Sequence, residues 1–274
     1  MAGKTISILG CGWLGLPLGE QLVLAGYSVR GSTTSAAKLP VLQQKGIDAY
    51  ELRLNPAPDG NLTALLEADT LLIDVPPKAG KMGDDFHPQQ IQFLVSALRN
   101  SSVKHVIYVS STSVYPETNS ILQESDVTTL AQTNAPALFR AEKLVQELEA
   151  DRTVTILRCG GLMGYDRIPG KYVAGRPIDS GNVPVNYLHR DDAIGILTNL
   201  IERPLAGVFN AVSPEHPTRE SIYRKSCADF GYALPSFTDP PEPVSYKTIS
   251  PEKLIQATGY QFIYPNPLGF LYAK

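Results

Sequence analysis

A glycine-rich turn between a short apolar run and a helical pattern constrains the fold of this chain more than any other feature. Residues 5–9 (TISIL) form an apolar run that predicts a buried strand, and residues 10–15 (GCGWLG) follow with the spacing G-x-G-x-x-G. Apolar residues then recur at helical spacing up to Gly26, and a second strand-like run begins at Tyr27. This order of strand, turn, helix and strand is typical of a dinucleotide-binding unit and is far more specific than the glycine motif alone.

Each glycine of the turn has its own predicted role. Gly10 permits the tight turn after the strand, and Gly12 lets a pyrophosphate approach the backbone closely. Gly15 lets the helix pack against the strand, so that the helix N-terminus faces the anion. The alternative is a glycine-rich turn without a ligand, and the flanking strands and helix argue against it.

The end of the second predicted strand bears on which dinucleotide is bound. NAD sites usually carry Asp or Glu there, because a carboxylate accepts a hydrogen bond from the ribose 2′-hydroxyl. Residues 30–34 are Arg-Gly-Ser-Thr-Thr and contain no carboxylate. Arg30, Ser32 and Thr33 could instead bind a 2′-phosphate through charge-assisted hydrogen bonds, so we predict a preference for NADP over NAD. The alternative is that Arg30 is simply solvated.

Strands and helices alternate through the first 160 residues. Further strands are predicted at residues 47–52, 70–75, 103–109 and 154–157, and helices at residues 36–45, 62–68, 87–100 and 136–150. The alternation predicts an α/β fold with a doubly wound, mostly parallel sheet covered on both faces, which is a Rossmann-type NAD(P)-binding fold. We assign residues 1–160 to the dinucleotide-binding domain.

Beyond residue 160, glycine and proline interrupt the pattern. Two helices, near residues 192–202 and 218–230, are separated by a strand near residues 208–211. We expect residues 161–274 to complete the sheet and to form a small C-terminal lobe on the substrate side. Such a lobe would stand above the carboxyl ends of the strands, where ligands bind in open α/β sheets.

Composition and charge exclude several classes of function. The net charge is −3 with no basic stripe, which argues against nucleic acid as a partner. No apolar run approaches the roughly 18–20 residues needed to span a bilayer, and the first residues lack the features of a signal peptide. The three cysteines are widely spaced and odd in number, which indicates reduced thiols and neither a disulfide framework nor a metal cluster. We therefore expect a cytoplasmic protein that binds a small molecule and uses neither a metal nor a membrane.

Passages along nearly the whole chain resemble the extended short-chain dehydrogenase/reductases, the NAD-dependent epimerase/dehydratase family, and most of all its atypical YeeZ-like branch. These passages are SILGCGWLG, HVIYVSSTSVY, TILRCGGLMG, NYLHRDDAIGI, GVFNAV and ISPEKLIQATGY. The resemblance implies an NAD(P)-dependent oxidoreductase or epimerase with a small polar hydroxyl or carbonyl substrate, similar to a sugar nucleotide. It is also compatible with a homodimer, although no sequence feature shows one.

In that family a serine or threonine, a tyrosine and a lysine carry out the chemistry. The tyrosine exchanges a proton with the substrate, the lysine holds the nicotinamide ribose and lowers the tyrosine pKa, and the serine hydrogen-bonds the substrate oxygen. The resemblance places the serine at Ser111 and the lysine at Lys143, but Phe139 stands at the tyrosine position and cannot transfer a proton. A shifted register would align Glu142 with the family lysine instead.

Several other residues are candidates for the missing acid or base. Tyr115 follows the serine strand directly and is the substitute that we name, although it could simply pack in the loop. Asp191 or Asp192 is more consistent with capping the helix that follows. Cys11 lies near a helix N-terminus, which could lower its pKa, or it is a small buried filler. The remaining candidates, each set against a structural role, are His87, His189, Tyr165 and Tyr172.

The predicted cofactor contacts, for NADP or NAD, comprise the glycine turn and the ends of the following strands. They are Gly10, Gly12, Trp13, Leu14, Gly15, Arg30, Ser32, Thr33, Val75, Pro76, Ser110 and Lys143. Two functions stay open: an NADP-dependent enzyme, and a non-catalytic NADP-binding redox sensor or scaffold in which Ser111 and Lys143 only hold the cofactor. A third interpretation is a purely structural α/β domain.

Overall fold

The computed structural model describes residues 3–77 and 79–273, and strands and helices alternate along it. The strands are β1 (Thr5–Leu9), β2 (Ser28–Thr33), β3 (Asp48–Asn55), β4 (Ala57–Gly60), β5 (Thr70–Ile73), β6 (His105–Ser111), β7 (Ser120–Leu122), β8 (Thr153–Cys159), β9 (Gly161–Met163), β10 (Pro177–Ile178), β11 (Tyr187–His189), β12 (Gly207–Ala211), β13 (Ser236–Phe237) and β14 (Lys247–Ile249). The helices are α1 (Gly15–Leu24), α2 (Leu39–Gln44), α3 (Leu62–Leu66), α4 (Ala79–Met82), α5 (Phe86–Leu98), α6 (Pro136–Gln146), α7 (Pro169–Val173), α8 (Arg190–Glu202), α9 (Arg219–Phe230) and α10 (Glu252–Thr258). Every strand and helix predicted within the first 160 residues is present, with its ends shifted by a few residues.

The central sheet has eight strands in the order β12-β8-β6-β5-β1-β2-β3-β4. Strand β1 pairs in parallel with β2 and with β5, β2 pairs in parallel with β3, and β5 with β6. Strand β4 runs antiparallel to β3. This is the mostly parallel, Rossmann-like α/β architecture that the alternation predicted. The order reverses at β1, so the carboxyl ends of β1 and β5 flank the position where open α/β sheets bind ligands.

The two middle strands of the sheet are apolar runs because helices cover both of its faces. The side chains of Ile6 and Ile8 on β1, and of Leu71 and Leu72 on β5, are completely buried. Helix α1 follows the glycine turn and contributes Leu18, which is also completely buried. The hydrophobic core therefore holds the first strand and the first helix in place on either side of the turn.

The chain divides into two compact units and passes between them several times. The first unit comprises the residues up to Val114, Ala135–Arg158 and Leu197–Phe209, and it contains the parallel strands β1, β2, β3, β5 and β6. The second comprises Tyr115–Asn134, Cys159–Ile196 and the residues from Asn210 onward, with the strand pairs β9–β11, β10–β13 and β7–β14. Our division of the chain after residue 160 stays a prediction, and the small strand pairs of the second unit were not predicted.

Candidate functional site

The loop after β1 makes a tight turn against the end of β5. Gly10 has a φ of +107°, in the region that favours glycine. A β carbon at Gly10 would lie 2.2 Å from the carbonyl oxygen of Asp74, the residue that follows β5. The amide of Gly12 donates to the Gly10 carbonyl at 2.8 Å and closes the turn. Backbone conformation and space therefore both require glycine at position 10.

The other two glycines of the motif differ from each other. A β carbon at Gly15 would lie 2.3 Å from the Gly10 carbonyl oxygen and 3.1 Å from the Ile8 side chain, so α1 packs closely on β1. At Gly12, by contrast, a β carbon would meet no atom of the described residues within 4 Å, and the residue is exposed. The packing predicted for Gly10 and Gly15 is present, and the open side of Gly12 leaves room for a pyrophosphate at the start of α1.

Strand β2 holds the turn from the other side. The Ser32 hydroxyl oxygen accepts a hydrogen bond from the Gly10 amide at 3.0 Å, and the Ser32 carbonyl accepts one from the Cys11 amide at 2.8 Å. Ser32 is buried, with 4% of its surface exposed. The sequence-based prediction that Ser32 binds a 2′-phosphate is therefore corrected, because this hydroxyl orients the glycine turn.

Cys11 is a buried filler beneath the same turn. Its sulfur lies so close to Gly31 that a β carbon there would approach it to 2.5 Å. Burial, reinforced by the nearby Asp74 carboxylate, raises the pKa of the Cys11 thiol to about 12. The sequence-based alternative that the helix N-terminus lowers the pKa of Cys11 is thus wrong, because loss of hydration outweighs the helix dipole at this site.

Arg30 binds the end of a helix. Its Nη1 atom donates to the carbonyl oxygens of Ala64 and Glu67, at the end of α3. The guanidinium also lies 3.4 Å from the Glu67 carboxylate and 4.0 Å from the Asp48 carboxylate. The last carbonyls of a helix lack partners within it and attract cations. Arg30 is therefore held at the end of α3 in the structure, and its predicted contact with a phosphate stays a prediction.

A different arginine lies beside the end of β2. Strands β2 and β3 pair with Thr33 opposite Glu51, so that Arg53 on β3 comes level with the loop after β2. The Arg53 Nε atom donates to the Thr34 carbonyl at 3.1 Å. The Thr33 hydroxyl oxygen accepts a hydrogen bond from the Ser35 amide at 3.3 Å. Sequence reasoning missed Arg53 because only the strand pairing brings it to this loop.

The remaining predicted contacts near the turn lie at the carboxyl ends of β1 and β5. Val75 and Pro76 directly follow Asp74, whose carbonyl packs against the turn. The Leu14 side chain is 2% exposed and belongs to the core, so that only its backbone is available to a ligand. Trp13 is partly exposed.

A buried polar cluster lies at the end of β6. The Ser110 hydroxyl donates to the Glu142 carboxylate at 2.5 Å, and Arg158 donates to that carboxylate from Nη2 at 2.7 Å and from Nε at 3.1 Å. The side chains of Glu142 and Arg158 are each 2% exposed. Such pairing compensates both charges for their loss of hydration. Glu142 is thus a buried partner of Arg158 in the structure, and the shifted register would place the family lysine at this buried position.

The residues predicted to be catalytic lie on β6 and α6, two elements of the first unit that pack together. Ser111 is half-buried, and its hydroxyl oxygen accepts a hydrogen bond from the Ser113 amide at 3.1 Å. Phe139 is 3% exposed. Lys143 is exposed one helical turn further on, with its ammonium 5.2 Å from the centre of the Phe139 ring. Strand β6 therefore ends in a half-buried hydroxyl, and helix α6 carries an exposed ammonium beside an apolar ring at the tyrosine position.

The structure gives Tyr115 a structural role, which corrects its prediction as the substitute acid or base. The side chain is completely buried, and its hydroxyl donates to the Asn210 side-chain oxygen at 2.7 Å. Its carbonyl accepts a hydrogen bond from the Lys247 ammonium at 2.7 Å. A proton of this hydroxyl is therefore not presented to a substrate.

Both candidate histidines are buried and hydrogen-bonded. His87 contacts Gln90 at 3.1 Å and Tyr108 at 2.7 Å, and burial lowers its pKa. The His189 Nε2 atom lies 3.0 Å from the Leu271 carbonyl, and its Nδ1 atom accepts a hydrogen bond from the Asp191 amide at 3.2 Å. These contacts give both imidazoles structural roles.

The acidic pair at the start of α8 does not cap that helix as expected. The Asp192 carboxylate is completely buried and accepts hydrogen bonds from the amides of Ile263 and Tyr264 at 2.7 and 3.0 Å. The Asp191 carboxylate accepts one from the Tyr165 hydroxyl at 3.0 Å. Asp192 therefore holds the C-terminal segment, and Asp191 holds the loop after β9.

Two structural features are absent from the part of the chain that the structure describes. No helix within it is long and apolar enough to cross a membrane. Nor do three or more His, Cys, Asp or Glu side chains within it form a group that could hold a metal ion.

Comparison with known proteins gives both sequence and fold relatives. The model of a family described as NAD(P)H-binding matches residues 10–204. Protein YeeZ of Escherichia coli strain K12 is 32% identical over 269 residues, which cover 97% of this chain and 98% of that protein. The fold resembles UDP-glucose-4-epimerase from Stenotrophomonas maltophila with bound NAD (TM-score 0.78, 14% identity, 98% and 96% of the two chains covered). It also resembles UDP-N-acetylglucosamine 4-epimerase from Bacillus cereus (TM-score 0.75, 14% identity, 97% of each chain covered).

Proposed function

This chain belongs to the NAD(P)H-binding family and is a homologue of YeeZ, and from that premise we propose an NADP-dependent oxidoreductase or epimerase for a small polar hydroxyl or carbonyl compound. The turn after β1 carries the proposal. Gly10 and Gly15 are packed so closely that no other residue fits, whereas Gly12 is left open at the start of α1. That combination is what a pyrophosphate needs, because it exposes backbone amides at a helix N-terminus.

The proposed substrate class takes its support from the fold neighbours. The Stenotrophomonas enzyme was solved with a formylated UDP-arabinopyranose, and both named neighbours are UDP-sugar epimerases. Their identity to this chain is low, so they support only the choice of compounds to test first. Sugar nucleotides, and small carbonyl compounds beside them, form that set.

The chain itself would supply two of the three groups of the proposed chemistry. The Ser111 hydroxyl would hydrogen-bond the substrate oxygen, and the exposed Lys143 ammonium would hold the nicotinamide ribose. When bound, the nicotinamide supplies or accepts a hydride. The accompanying proton must come from water or from another group, because Phe139 has no ionisable group and the Tyr115 hydroxyl is bonded to Asn210.

The preference for NADP is part of the proposal. Residues 30–35 contain no carboxylate, and the hydroxyl-bearing residues Thr33, Thr34 and Ser35 follow one another there. An acidic residue at this place would repel a 2′-phosphate and favour NAD.

A non-catalytic NADP-binding sensor or scaffold is the second candidate. Burial of an apolar ring at position 139 favours it, because this position bears the proton-transferring tyrosine in the family. Ser111 and Lys143 would then serve only to hold the cofactor.

Calorimetric titration of the purified protein with NADPH and, in parallel, with NADH tests the proposal. We expect NADPH to bind more tightly than NADH. Binding of neither nucleotide would overturn the proposal and leave the structural α/β domain.

Incubation of a panel of sugar nucleotides and carbonyl compounds with NADPH and, in parallel, with NADP⁺ then separates the two candidates, because an epimerisation starts with hydride transfer to the oxidised nucleotide. Loss of NADPH absorbance reports reduction, and NMR of the sugar reports epimerisation without net cofactor use. Tight binding without either change would favour the sensor.

A further inference from the structure

The loop that follows β2 is bordered by polar and basic groups. Thr34 and Lys38 are exposed, and the Thr33 hydroxyl turns back to the Ser35 amide. Because residues 30–38 contain no Asp or Glu, this loop brings no negative charge of its own. An anion beside the loop therefore meets hydroxyl groups and an ammonium group, with no carboxylate on the loop.

Arg53 reaches this loop from the neighbouring strand. Its Nε atom is bonded to the Thr34 carbonyl at 3.1 Å, and its Nη2 atom lies 2.7 Å from the Glu51 carboxylate. These two contacts fix the guanidinium plane at the end of β2, while 49% of the side chain stays exposed. A guanidinium has five N–H donors, and within residues 3–77 and 79–273 the Nη1 donors of Arg53 have no partner.

Arg53 can exchange its carboxylate partner for another anion more easily than Arg30 can leave its own partners. Arg30 is 25% exposed, and its contacts include two backbone carbonyls of the α3 end, which would be left unpaired if it moved. The Arg53–Glu51 pair joins two side chains that are 49% and 35% exposed. An ion pair as exposed as this one contributes little to the stability of the fold. The guanidinium can therefore exchange its carboxylate partner for a phosphate.

From these contacts we infer that Arg53 is the residue that recognises the 2′-phosphate of NADP and thereby determines the preference for NADP over NAD. Its Nη donors would bind the phosphate oxygens while Nε keeps the side chain on the Thr34 carbonyl. The inference rests on the proposed function, and it names the specificity-determining residue of that site.

The test measures the dissociation constants of NADPH and NADH for the wild-type chain and for Arg53→Gln. Loss of a charge-assisted bond to phosphate should weaken NADPH binding by about 10- to 100-fold and leave NADH binding unchanged. Arg99→Gln is the matched control, because Arg99 is also an exposed arginine paired with a glutamate, Glu147 at 2.6 Å, but lies at the end of α5. This variant should bind both nucleotides like the wild type.

A second variant keeps the inference testable if Arg53→Gln does not fold. Thr34→Asp places a carboxylate on the exposed loop next to Arg53. This carboxylate should weaken the binding of NADPH more than that of NADH, because it competes for the guanidinium and repels the 2′-phosphate. Adenosine 2′,5′-bisphosphate and adenosine 5′-monophosphate serve as short probes. Only the bisphosphate should lose affinity in either variant.

The outcomes separate this inference from the proposed function. Absence of binding of both nucleotides to the wild-type chain overturns the proposed function and the inference with it. Wild-type binding of NADPH together with an equal effect of Arg53→Gln on both nucleotides, or no effect on either, overturns the assignment of Arg53 alone.

Discussion

At the residue scale, Gly12 can be tested separately from the fold. A side chain there would meet no atom of the described residues within 4 Å, so Gly12→Asp should fold normally. Its carboxylate would occupy and charge the space where a pyrophosphate approaches. We expect NADPH affinity to fall by more than about 100-fold in calorimetric titration, with the thermal unfolding temperature retained.

Gly269→Asp is the matched control for that variant. Position 269 is exposed, has an ordinary φ and is equally open around its β carbon in the described structure, and the substitution adds the same charge. It should leave NADPH binding unchanged. Unchanged binding in Gly12→Asp would contradict the placement of the pyrophosphate at this turn.

Also at the residue scale, Phe139 can be tested as the residue that replaces the family tyrosine. Phe139→Tyr would restore the family spacing of tyrosine and lysine, with Lys143 one turn further on. Because the proposed enzyme obtains its proton elsewhere, we expect the variant to bind NADPH and to show no rise in turnover on the substrate panel. A rise of tenfold or more would instead indicate a degenerate wild-type site and favour the non-catalytic sensor.

At the element scale, the Glu142–Arg158 pair joins helix α6 to strand β8. Glu142→Gln should lower the free energy of unfolding by about 3–5 kcal/mol, because it removes the carboxylate that pairs with the buried Arg158 guanidinium. Urea denaturation of the purified variant measures this loss. The expected cost comes from the buried guanidinium, since Gln can still hydrogen-bond Ser110.

Glu147→Gln is the control for this prediction. Glu147 follows the same helix and also pairs with an arginine, Arg99, but their side chains are 45% and 57% exposed. Exposed ion pairs contribute at most about 1 kcal/mol to stability, so Glu147→Gln should lower the free energy of unfolding only slightly. Similar losses of unfolding free energy in the two variants would show that water reaches the Glu142–Arg158 pair in solution.

At the scale of the whole molecule, buried histidines make stability depend on pH. His105 is 3% exposed, its Nε2 atom lies 2.9 Å from the Thr155 hydroxyl oxygen, and that hydroxyl donates to the Leu205 carbonyl. The Nδ1 atom has no partner among the described residues. Burial, with a smaller contribution from Lys4, lowers the His105 pKa from 6.5 to about 4.

The sign of the effect follows from proton binding. Between pH 6.5 and about 4 the unfolded chain binds a proton at His105 that the folded chain does not, so acid destabilises the fold. The contribution of the buried His105 to the free energy of unfolding is complete above pH 6.5. It decreases by about 1.4 kcal/mol per pH unit between pH 6.5 and about 4.

His105→Gln tests this dependence. On moving from about pH 7.5 to about pH 5, the variant should lose about 2 kcal/mol less unfolding free energy than the wild type. Urea titrations at both pH values measure the difference. Burial also lowers the pKa values of His87 and His216, and both residues remain in the variant, so some acid sensitivity should persist. Equal losses in the two proteins would show that His105 is protonated in the folded state.

Much of the first unit was predictable because its pattern is local. The apolar run of β1, the three glycines and the helical repeat of α1 depend on burial and backbone conformation within about twenty residues. Strand β7 shows the opposite case. It has three residues and pairs with β14, more than a hundred residues later, so no nearby pattern signals it.

By itself, the sequence determined the strand–turn–helix–strand unit, the alternation that makes a doubly wound sheet and the absence of a carboxylate after β2. Those features reside in neighbouring residues, whose conformation and hydrophobicity hardly depend on the rest of the chain. Only the tertiary structure decided what the polar side chains do. It bound Arg30 to α3, buried the Tyr115 hydroxyl on Asn210 and brought Arg53 to Thr34 through the pairing of β2 with β3. The physical reason is that a side chain's partners depend on its direction and on distant strands and helices, which no local pattern encodes.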